Sequence, residues 1–177
     1  LRIMDALRQI SKPIELEMER YKQLYDSLLH HSNPILNKVL PVVAQRKGKM
    51  MRPILTLLSA KLLGEINEKT IFSAASFEFF HTASLLHDDV VDESDERRGQ
   101  ASINCAFGNK VAVLVGDYLL AQCLYCASKT DSPRLVESIS VAAQNLADGE
   151  LLQLNSIGLK KLSEDTYYSI IKNKTAA

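Results

Sequence analysis

Glycine and proline are scarce in this sequence, and tryptophan is absent. The 177 residues include seven glycines and five prolines, so few positions oppose long helices. No stretch shows the strict alternation of apolar and polar residues that is typical of half-buried strands. These absences predict an all-α protein of about seven helices. The length is that of one domain, residues 1–177.

The chain also lacks an excess of charge of either sign. Its 21 Lys and Arg residues balance its 21 Asp and Glu residues. Nucleic-acid binding normally needs a positive surface, so we expect no nucleic-acid partner. The local distribution of charge is therefore more informative than the total.

No uninterrupted apolar run approaches the ~20 residues of a membrane span. The nearest candidate runs from Val111 to Cys126, but Gly116 and Asp117 interrupt it. Residues 1–7 lack the layout of a signal peptide. We therefore expect a cytoplasmic protein.

The three cysteines do not form a disulfide framework. Cys123 and Cys126 lie in an apolar helical stretch without a second Cys or His pair. This context favours core packing over a zinc or redox site. It also fits a reducing compartment.

A cluster of acidic residues follows an apolar stretch that predicts a helix over about residues 68–93. Six acidic side chains occur within the nine residues from Asp88 to Glu96. Negative charge at a helix C-terminus opposes the helix dipole by roughly 0.3–1 kcal/mol per exposed charge. Asp88 and Asp92 share a helical face and Asp89 lies beside them, so their oxygens can converge on a hard cation.

This cluster has two interpretations. One is a solvated helix end with surface salt bridges to Arg97 and Arg98. The other is a magnesium-diphosphate site, because Mg²⁺ normally uses one or two carboxylates, several waters and phosphate oxygens. The arginine pair suits recognition of phosphate and favours the second interpretation. The polar residues 94–108, which include two glycines, predict a loop of functional or mobile character.

Five segments, taken in order, resemble the trans-isoprenyl diphosphate synthases, also called polyprenyl synthetases. They are Gly48–Pro53 (Gly-Lys-x-x-Arg-Pro), Glu78–His87, Asp88–Gly99 (Asp-Asp-x-x-Asp, then Arg-Arg-Gly), Gly116–Leu120 and Lys174–Ala176. The resemblance implies an all-α bundle of the isoprenoid synthase type. It also implies a Mg²⁺-dependent prenyltransferase that condenses isopentenyl diphosphate with an allylic diphosphate, giving a product longer than C15.

The resemblance assigns residues to two diphosphate sites. Isopentenyl diphosphate would be bound by Gly48, Lys49, Arg52, His81 and Arg98. Mg²⁺ and the allylic diphosphate would be bound by Asp88, Asp89, Asp92, Arg97, Lys174 and Thr175, with Gln153 facing the same cavity. Met50 departs from the family, which usually has a third basic residue at this position.

Taken singly, several of these residues have simpler interpretations. Lys49 and Arg52 could point the same way at a helix start and form an anion site, but they also suit solvated surface charges. His81 also suits a core position. Lys172 and Lys174 could form an ordinary solvated helix face. The order of the motifs, and not any one of them, favours the functional interpretation.

The resemblance also predicts which residues set product length. In the family, bulky side chains four and five positions before the first aspartate close the hydrocarbon tunnel early. Here those positions are Ser84 and Ala83, which are small, and Phe79 and Phe80 lie about one turn deeper as a later floor. Alternatively, Ala83 and Ser84 are small only because another helix packs closely there.

A second aspartate-rich motif of the family is not found in residues 1–177. We therefore expect a chain that is incomplete at its C-terminus and inactive alone. The resemblance also implies that the enzyme forms a homodimer and has transient membrane contact through its product. Two alternatives stay open. A class I terpene cyclase shares the aspartate-rich helix but has no second diphosphate to bind, and a non-catalytic partner subunit would need a complete synthase.

Overall fold

The computed structural model describes residues 2–45, 48–157 and 163–175. It confirms the predicted all-α class. The elements in chain order are α1 (Arg2–Ser11), a 3₁₀ helix (Lys12–Ile14), α2 (Glu15–Leu28), α3 (Pro34–Gln45), α4 (Met51–Leu63), α5 (Glu68–Val91), β1 (Glu96–Arg97), β2 (Gln100–Ala101), α6 (Ile103–Phe107), α7 (Asn109–Ser128), α8 (Pro133–Ser156) and α9 (Glu164–Thr175). Contacts group them into two compact units, Leu1–Asp131 and Ser132–Ala177. The single domain over residues 1–177 stays a prediction.

Helix α5 is the central element of the first unit. It packs along α7 and also contacts α2, α4 and α6. Phe79 of α5 is fully buried and stacks on Tyr25 of α2, with ring centroids 4.4 Å apart. Cys123 and Cys126 of α7 are buried in this core, as predicted for packing residues.

Helix α7 is long and apolar enough to span a membrane by length and composition. The sequence analysis gave less weight to this stretch because Gly116 and Asp117 interrupt it. In the structure both residues lie within the continuous helix, and Ala112, Val115 and Leu119 are buried. Core helices also satisfy this composition test. Because α7 packs along α5 and buries these side chains, it belongs to the core of the first unit.

Local sequence determines where the long helices begin. Asn67 caps α5, since its side chain accepts a hydrogen bond from the Thr70 amide at 3.1 Å. Ser132 caps α8 through the Leu135 amide, and Pro133 occupies the first turn. Ser and Pro at these positions both favour the start of a helix. Such caps each contribute about 1 kcal/mol.

The C-terminus of α5 brings the chain back towards its own last turn. The helix was predicted to reach Glu93 but ends at Val91, with Asp92 as its cap. Glu93 has a φ of 50°. Its amide donates to the carbonyl of Val90, and the Ser94 amide donates to the carbonyl of Asp89. This is a Schellman motif with glutamate in the position that glycine usually occupies.

The predicted loop over residues 94–108 contains regular structure, and in this respect the sequence prediction was wrong. Strands β1 and β2 pair antiparallel, with Arg97 opposite Gln100. Arg98 and Gly99 form the two-residue turn with φ values of 57° and 75°, as a type I′ turn requires. Helix α6 follows at once. Strands of two residues are too short to show a period in the sequence.

The second unit consists of α8 packed on α9. Ile139 and Ile170 are buried within it. Asn173 Nδ2 donates to Asp148 Oδ2 at 2.8 Å. These contacts join the two helices near the residues assigned to the allylic site.

Candidate diphosphate and metal site

The three aspartates at the end of α5 differ in their surroundings. Asp89 is 3% exposed, and its Oδ1 accepts a hydrogen bond from Nε of Arg97 at 2.5 Å. Asp88 is half-buried, with its Oδ2 3.7 Å from Nη2 of the same arginine. Asp92 is exposed. The helix period explains this difference, because residue 89 faces the hairpin while residues 88 and 92 share the neighbouring face.

Asp88 and Asp92 fit a magnesium ion better than Asp89 does. They offer two carboxylates from one face, and Mg²⁺ takes its remaining ligands from water and phosphate. Within the described residues no group of three or more His, Cys, Asp or Glu side chains is arranged to hold a metal. The assignment of all three aspartates as metal ligands stays a prediction.

Two buried polar residues fix the hairpin to the end of α5. Ser102 Oγ donates to the carbonyl of Ser94 at 2.6 Å. Asn104 Nδ2 donates to the carbonyls of Asp89 and Ser94, at 3.2 and 3.1 Å. These hydrogen bonds to backbone carbonyls hold the hairpin, and therefore Arg97, beside the aspartates. The charge of Arg97 adds to this.

The imidazole of His87 lies over Gly116 of α7. A Cβ atom at Gly116 would be 2.3 Å from Nε2 of His87. The same nitrogen is 3.2 Å from the carbonyl of Val113 and 3.4 Å from Oδ1 of Asp117. The Gly-Asp sequence of α7 therefore accommodates the residue just before the aspartates.

A cavity of about 540 Å³ lies between α4, α5 and the hairpin turn. It is lined by Gly48, Lys49, Met50, Met51, Arg52, Glu78, His81 and Arg98. All five residues that the resemblance assigned to isopentenyl diphosphate are in this set. The structure thus brings them together from three separate segments.

Helix α4 begins at Met51, so Lys49 lies before it. Lys49 and Arg52 therefore do not share a helical face, although their spacing in the sequence allowed this. Met50 caps the helix with a φ of 53°, and its sulfur is 3.9 Å from the hydroxyl of Tyr21. This bend, and not helical spacing, allows Lys49 and Arg52 to line the same cavity.

Arg97 and Arg98 point to different sites although they are adjacent. Arg97 contacts Asp88 and Asp89. Arg98 extends from the turn so that its Nη1 would be 2.6 Å from a Cβ atom at Gly48. The first arginine lies on a strand and the second in a tight turn, so their divergence comes from the hairpin, where a loop had been predicted.

Burial shapes the electrostatics of the cavity. The pKa of His81 falls to about 4, mainly because of burial and further because of Arg52, Arg98 and Arg97. His81 is therefore neutral near pH 7. Burial raises the pKa of Glu78, while Arg52 and Arg98 oppose that rise.

The residues assigned to the allylic site in the second unit also lie close together. Lys174 forms a salt bridge with Glu150, and its Nζ donates to Oε1 of Gln153 at 3.0 Å. Thr175 is the last residue of α9. The sequence analysis included Lys174 and Gln153 but not the carboxylate that holds the lysine.

The predicted chain-length residues lie along α5. Phe79 and Ala83 are buried. Phe80 and Ser84 are half-buried, and Ser84 Oγ donates to the carbonyl of His81 at 2.9 Å. The cavity described above is lined by other residues of the helix, so their role in product length stays a prediction.

Sequence reasoning missed Glu78, Tyr25, Ser102 and Asn104. A second cavity, of about 60 Å³, is lined by Tyr25, Glu78 and Asp89, and by both Arg97 and Arg98. Glu78 could have been noticed as a charged residue within an apolar helical stretch. The other three carry no local signal, because their importance depends on contacts with distant segments.

The polyprenyl synthetase family model matches residues 33–177. The chain is 36% identical over 171 residues to the octaprenyl diphosphate synthase of Haemophilus influenzae, covering 97% of this chain and 52% of that protein. A decaprenyl diphosphate synthase structure from Rhodobacter capsulatus aligns with a TM-score of 0.88 and 36% identity, covering 96% of this chain and 53% of that one.

A polyprenyl synthase structure from Caulobacter crescentus, complexed with calcium and isoprenyl diphosphate, aligns with a TM-score of 0.84 and 34% identity. The alignment covers 98% of this chain and 52% of that one. The chain belongs to the polyprenyl synthetase family. It spans about half the length of the relatives described here.

Proposed function

We propose that the protein is a polyprenyl diphosphate synthase that uses Mg²⁺ to condense isopentenyl diphosphate with an allylic diphosphate. The observation that carries the proposal is the divergence of two adjacent arginines. Arg97 pairs with the aspartates at the end of α5, and Arg98 lines the basic cavity beside α4, which Arg97 does not line. Two neighbouring anion sites suit a reaction between two diphosphate substrates.

The proposed reaction forms one carbon–carbon bond. The allylic carbon–oxygen bond breaks, and both electrons leave with the diphosphate. The double bond of isopentenyl diphosphate attacks the allylic carbon, and a proton then passes from the joined chain to the released diphosphate. The products are inorganic diphosphate and an allylic diphosphate that is one isoprene unit longer.

The residues of the first site would act on the leaving group. Asp88 and Asp92 would hold magnesium, with Asp89 orienting Arg97. Magnesium, when bound, supplies positive charge that offsets the charge of the departing diphosphate. Arg97 would hold the departing diphosphate by charge-assisted hydrogen bonds. The family resemblance assigns Lys174 and Thr175 of the second unit to the same substrate.

The residues of the second site would hold isopentenyl diphosphate. Lys49, Arg52 and Arg98 border the cavity and would supply positive charge, and neutral His81 would donate a hydrogen bond to the diphosphate. A terpene cyclase binds one diphosphate and has no use for this cavity. The cavity therefore favours the synthase over the cyclase, and the aspartates disfavour a non-catalytic subunit.

The proposed product is longer than C15. The relatives described above are named octaprenyl and decaprenyl diphosphate synthases, and the small side chains at Ala83 and Ser84 would leave open the early part of a tunnel along α5. We also propose a cytoplasmic homodimer whose apolar product brings transient membrane contact. The homodimer and the membrane contact follow from the family resemblance. The cytoplasmic location follows from the reducing compartment that fits the three cysteines.

The Asp88→Ala/Asp92→Ala double variant tests the metal site in the complete enzyme. Turnover with both substrates and Mg²⁺ should fall by about a hundredfold or more, because the leaving group loses its charge stabilisation. The measurement is incorporation of labelled isopentenyl diphosphate into lipid-extractable product, with thermal unfolding to confirm an intact fold. Asp95→Ala is the matched control, since Asp95 is an exposed acid that lies between the Asp-Asp-x-x-Asp and Arg-Arg-Gly sequences and belongs to neither. Normal turnover of the double variant would contradict the assigned metal site.

A further inference from the structure

A buried carboxylate lines the cavity assigned to a negatively charged substrate. Glu78 is 8% exposed and borders the cavity together with Lys49, Arg52, His81 and Arg98. A carboxylate in this position repels a diphosphate directly. Its presence therefore requires a different explanation from that of the basic residues around it.

The basic residues come from elements that are joined only through tertiary contacts. Arg52 lies in the first turn of α4, and Arg98 in the turn of the hairpin. Both guanidinium groups interact electrostatically with Glu78. Two like charges that border one cavity repel each other, and a carboxylate near both reduces that repulsion.

Helix α5 holds Glu78 in a fixed place. The residue is one turn before His81, so both project from the same face of the helix. The next residue, Phe79, is fully buried and stacked on Tyr25. A carboxylate on this rigid turn is suited to orient more mobile arginine side chains.

We propose that Glu78 is a positioning residue of the isopentenyl diphosphate cavity, whose carboxylate holds Arg52 and Arg98 in the orientation that receives the diphosphate. The inference rests on the proposed function and adds a residue to its second site. Glu78 acts through the two arginines and does not contact the substrate. Burial raises the pKa of Glu78 and the arginines oppose that rise, so the arginines favour its charged form.

The direction in which the affinity for isopentenyl diphosphate changes distinguishes this proposal from simple charge repulsion. Replacing Glu78 with Gln keeps the shape of the side chain and removes its negative charge. If Glu78 only opposed the substrate's charge, Glu78→Gln would bind isopentenyl diphosphate more tightly. If Glu78 positions the arginines, the same variant binds more weakly, by about tenfold or more.

The experiment measures isopentenyl diphosphate binding to the complete enzyme by calorimetry without Mg²⁺, and then the steady-state constants with both substrates. For Glu78→Gln we expect the Kd and KM for isopentenyl diphosphate to rise about tenfold, and the KM for the allylic substrate to stay within about twofold. Glu78→Asp keeps the charge on a shorter side chain and should weaken binding less. Glu68→Gln, an exposed site on the first turn of α5, is the matched control and should leave both constants unchanged.

The outcomes are distinct. Unchanged or tighter binding of isopentenyl diphosphate by Glu78→Gln would overturn the proposal, as would an equal loss of affinity for both substrates. Loss of folding in both Glu78 variants would assign the residue to stability alone and also overturn it. A wild-type enzyme that neither binds nor elongates isopentenyl diphosphate would instead refute the proposed function.

Discussion

The backbone of Gly48 lies against the guanidinium group of Arg98. Nη1, Nη2 and Cζ of Arg98 would be 2.6, 2.8 and 3.1 Å from a Cβ atom at Gly48. A methyl group there is therefore incompatible with the present position of the guanidinium. Because the clash is with the end of a flexible side chain, the arginine can move while the fold is kept.

Gly48→Ala should accordingly impair substrate binding more than stability. In the complete enzyme we expect the KM for isopentenyl diphosphate to rise about tenfold, because displaced Arg98 loses a charge-assisted contact. The free energy of unfolding should change by less than about 1 kcal/mol. Steady-state kinetics and thermal unfolding provide the two measurements.

A double-mutant cycle tests whether Arg98 is the cause. In an Arg98→Ala background the alanine at position 48 has nothing to displace, so Gly48→Ala should have little further effect on KM. Additive effects of the two substitutions would show that Gly48 acts by another route.

The element that separates the two arginines is the hairpin of β1 and β2. Its turn needs positive φ at Arg98 and Gly99, which have values of 57° and 75°. A β-branched residue in this conformation costs roughly 1–3 kcal/mol. Because both arginines depend on one turn, its distortion affects both substrate sites together.

Gly99→Val should therefore raise the KM for both substrates and lower kcat in the complete enzyme, while Gly99→Asn should retain most activity because asparagine tolerates positive φ. Steady-state kinetics of the two variants, compared with their thermal unfolding, measures the effect. Equal activity of the valine and asparagine variants would show that the turn conformation is unimportant for the reaction.

At the scale of the whole molecule, the proposed product would extend from the aspartates along α5. Ala83 is 2% exposed, whereas Ser84 is half-buried. The buried position of Ala83 also agrees with the simpler interpretation, that it is small because a neighbouring helix packs there. Substitutions at the two positions distinguish a tunnel from a tight helix contact.

Ala83→Phe and Ser84→Phe in the complete enzyme should shorten the product to about three isoprene units if the tunnel passes these residues. Chromatography of the dephosphorylated products measures chain length. If Ala83 is only a packing residue, Ala83→Phe should instead cost about 1–3 kcal/mol of stability through overpacking. Active variants with an unchanged product distribution would place the tunnel elsewhere.

The sequence by itself determined the features that depend on neighbouring residues. The scarcity of glycine and proline predicted the helical class, and the apolar stretch before the aspartates predicted helix α5. The acidic cluster and the arginine pair indicated the chemistry of the site, since charge and spacing are local properties. The order of the motifs was sufficient to predict the family, which the comparisons confirmed.

Only the tertiary structure decided how these residues divide their roles. Asp89 faces inward to Arg97 while Asp88 and Asp92 share another face. Glu78 became relevant because α4 and the hairpin bring Arg52 and Arg98 to the cavity it borders. These cases have one physical reason. Burial and ion pairing depend on contacts between segments that are far apart in the sequence, so a local sequence pattern cannot predict them.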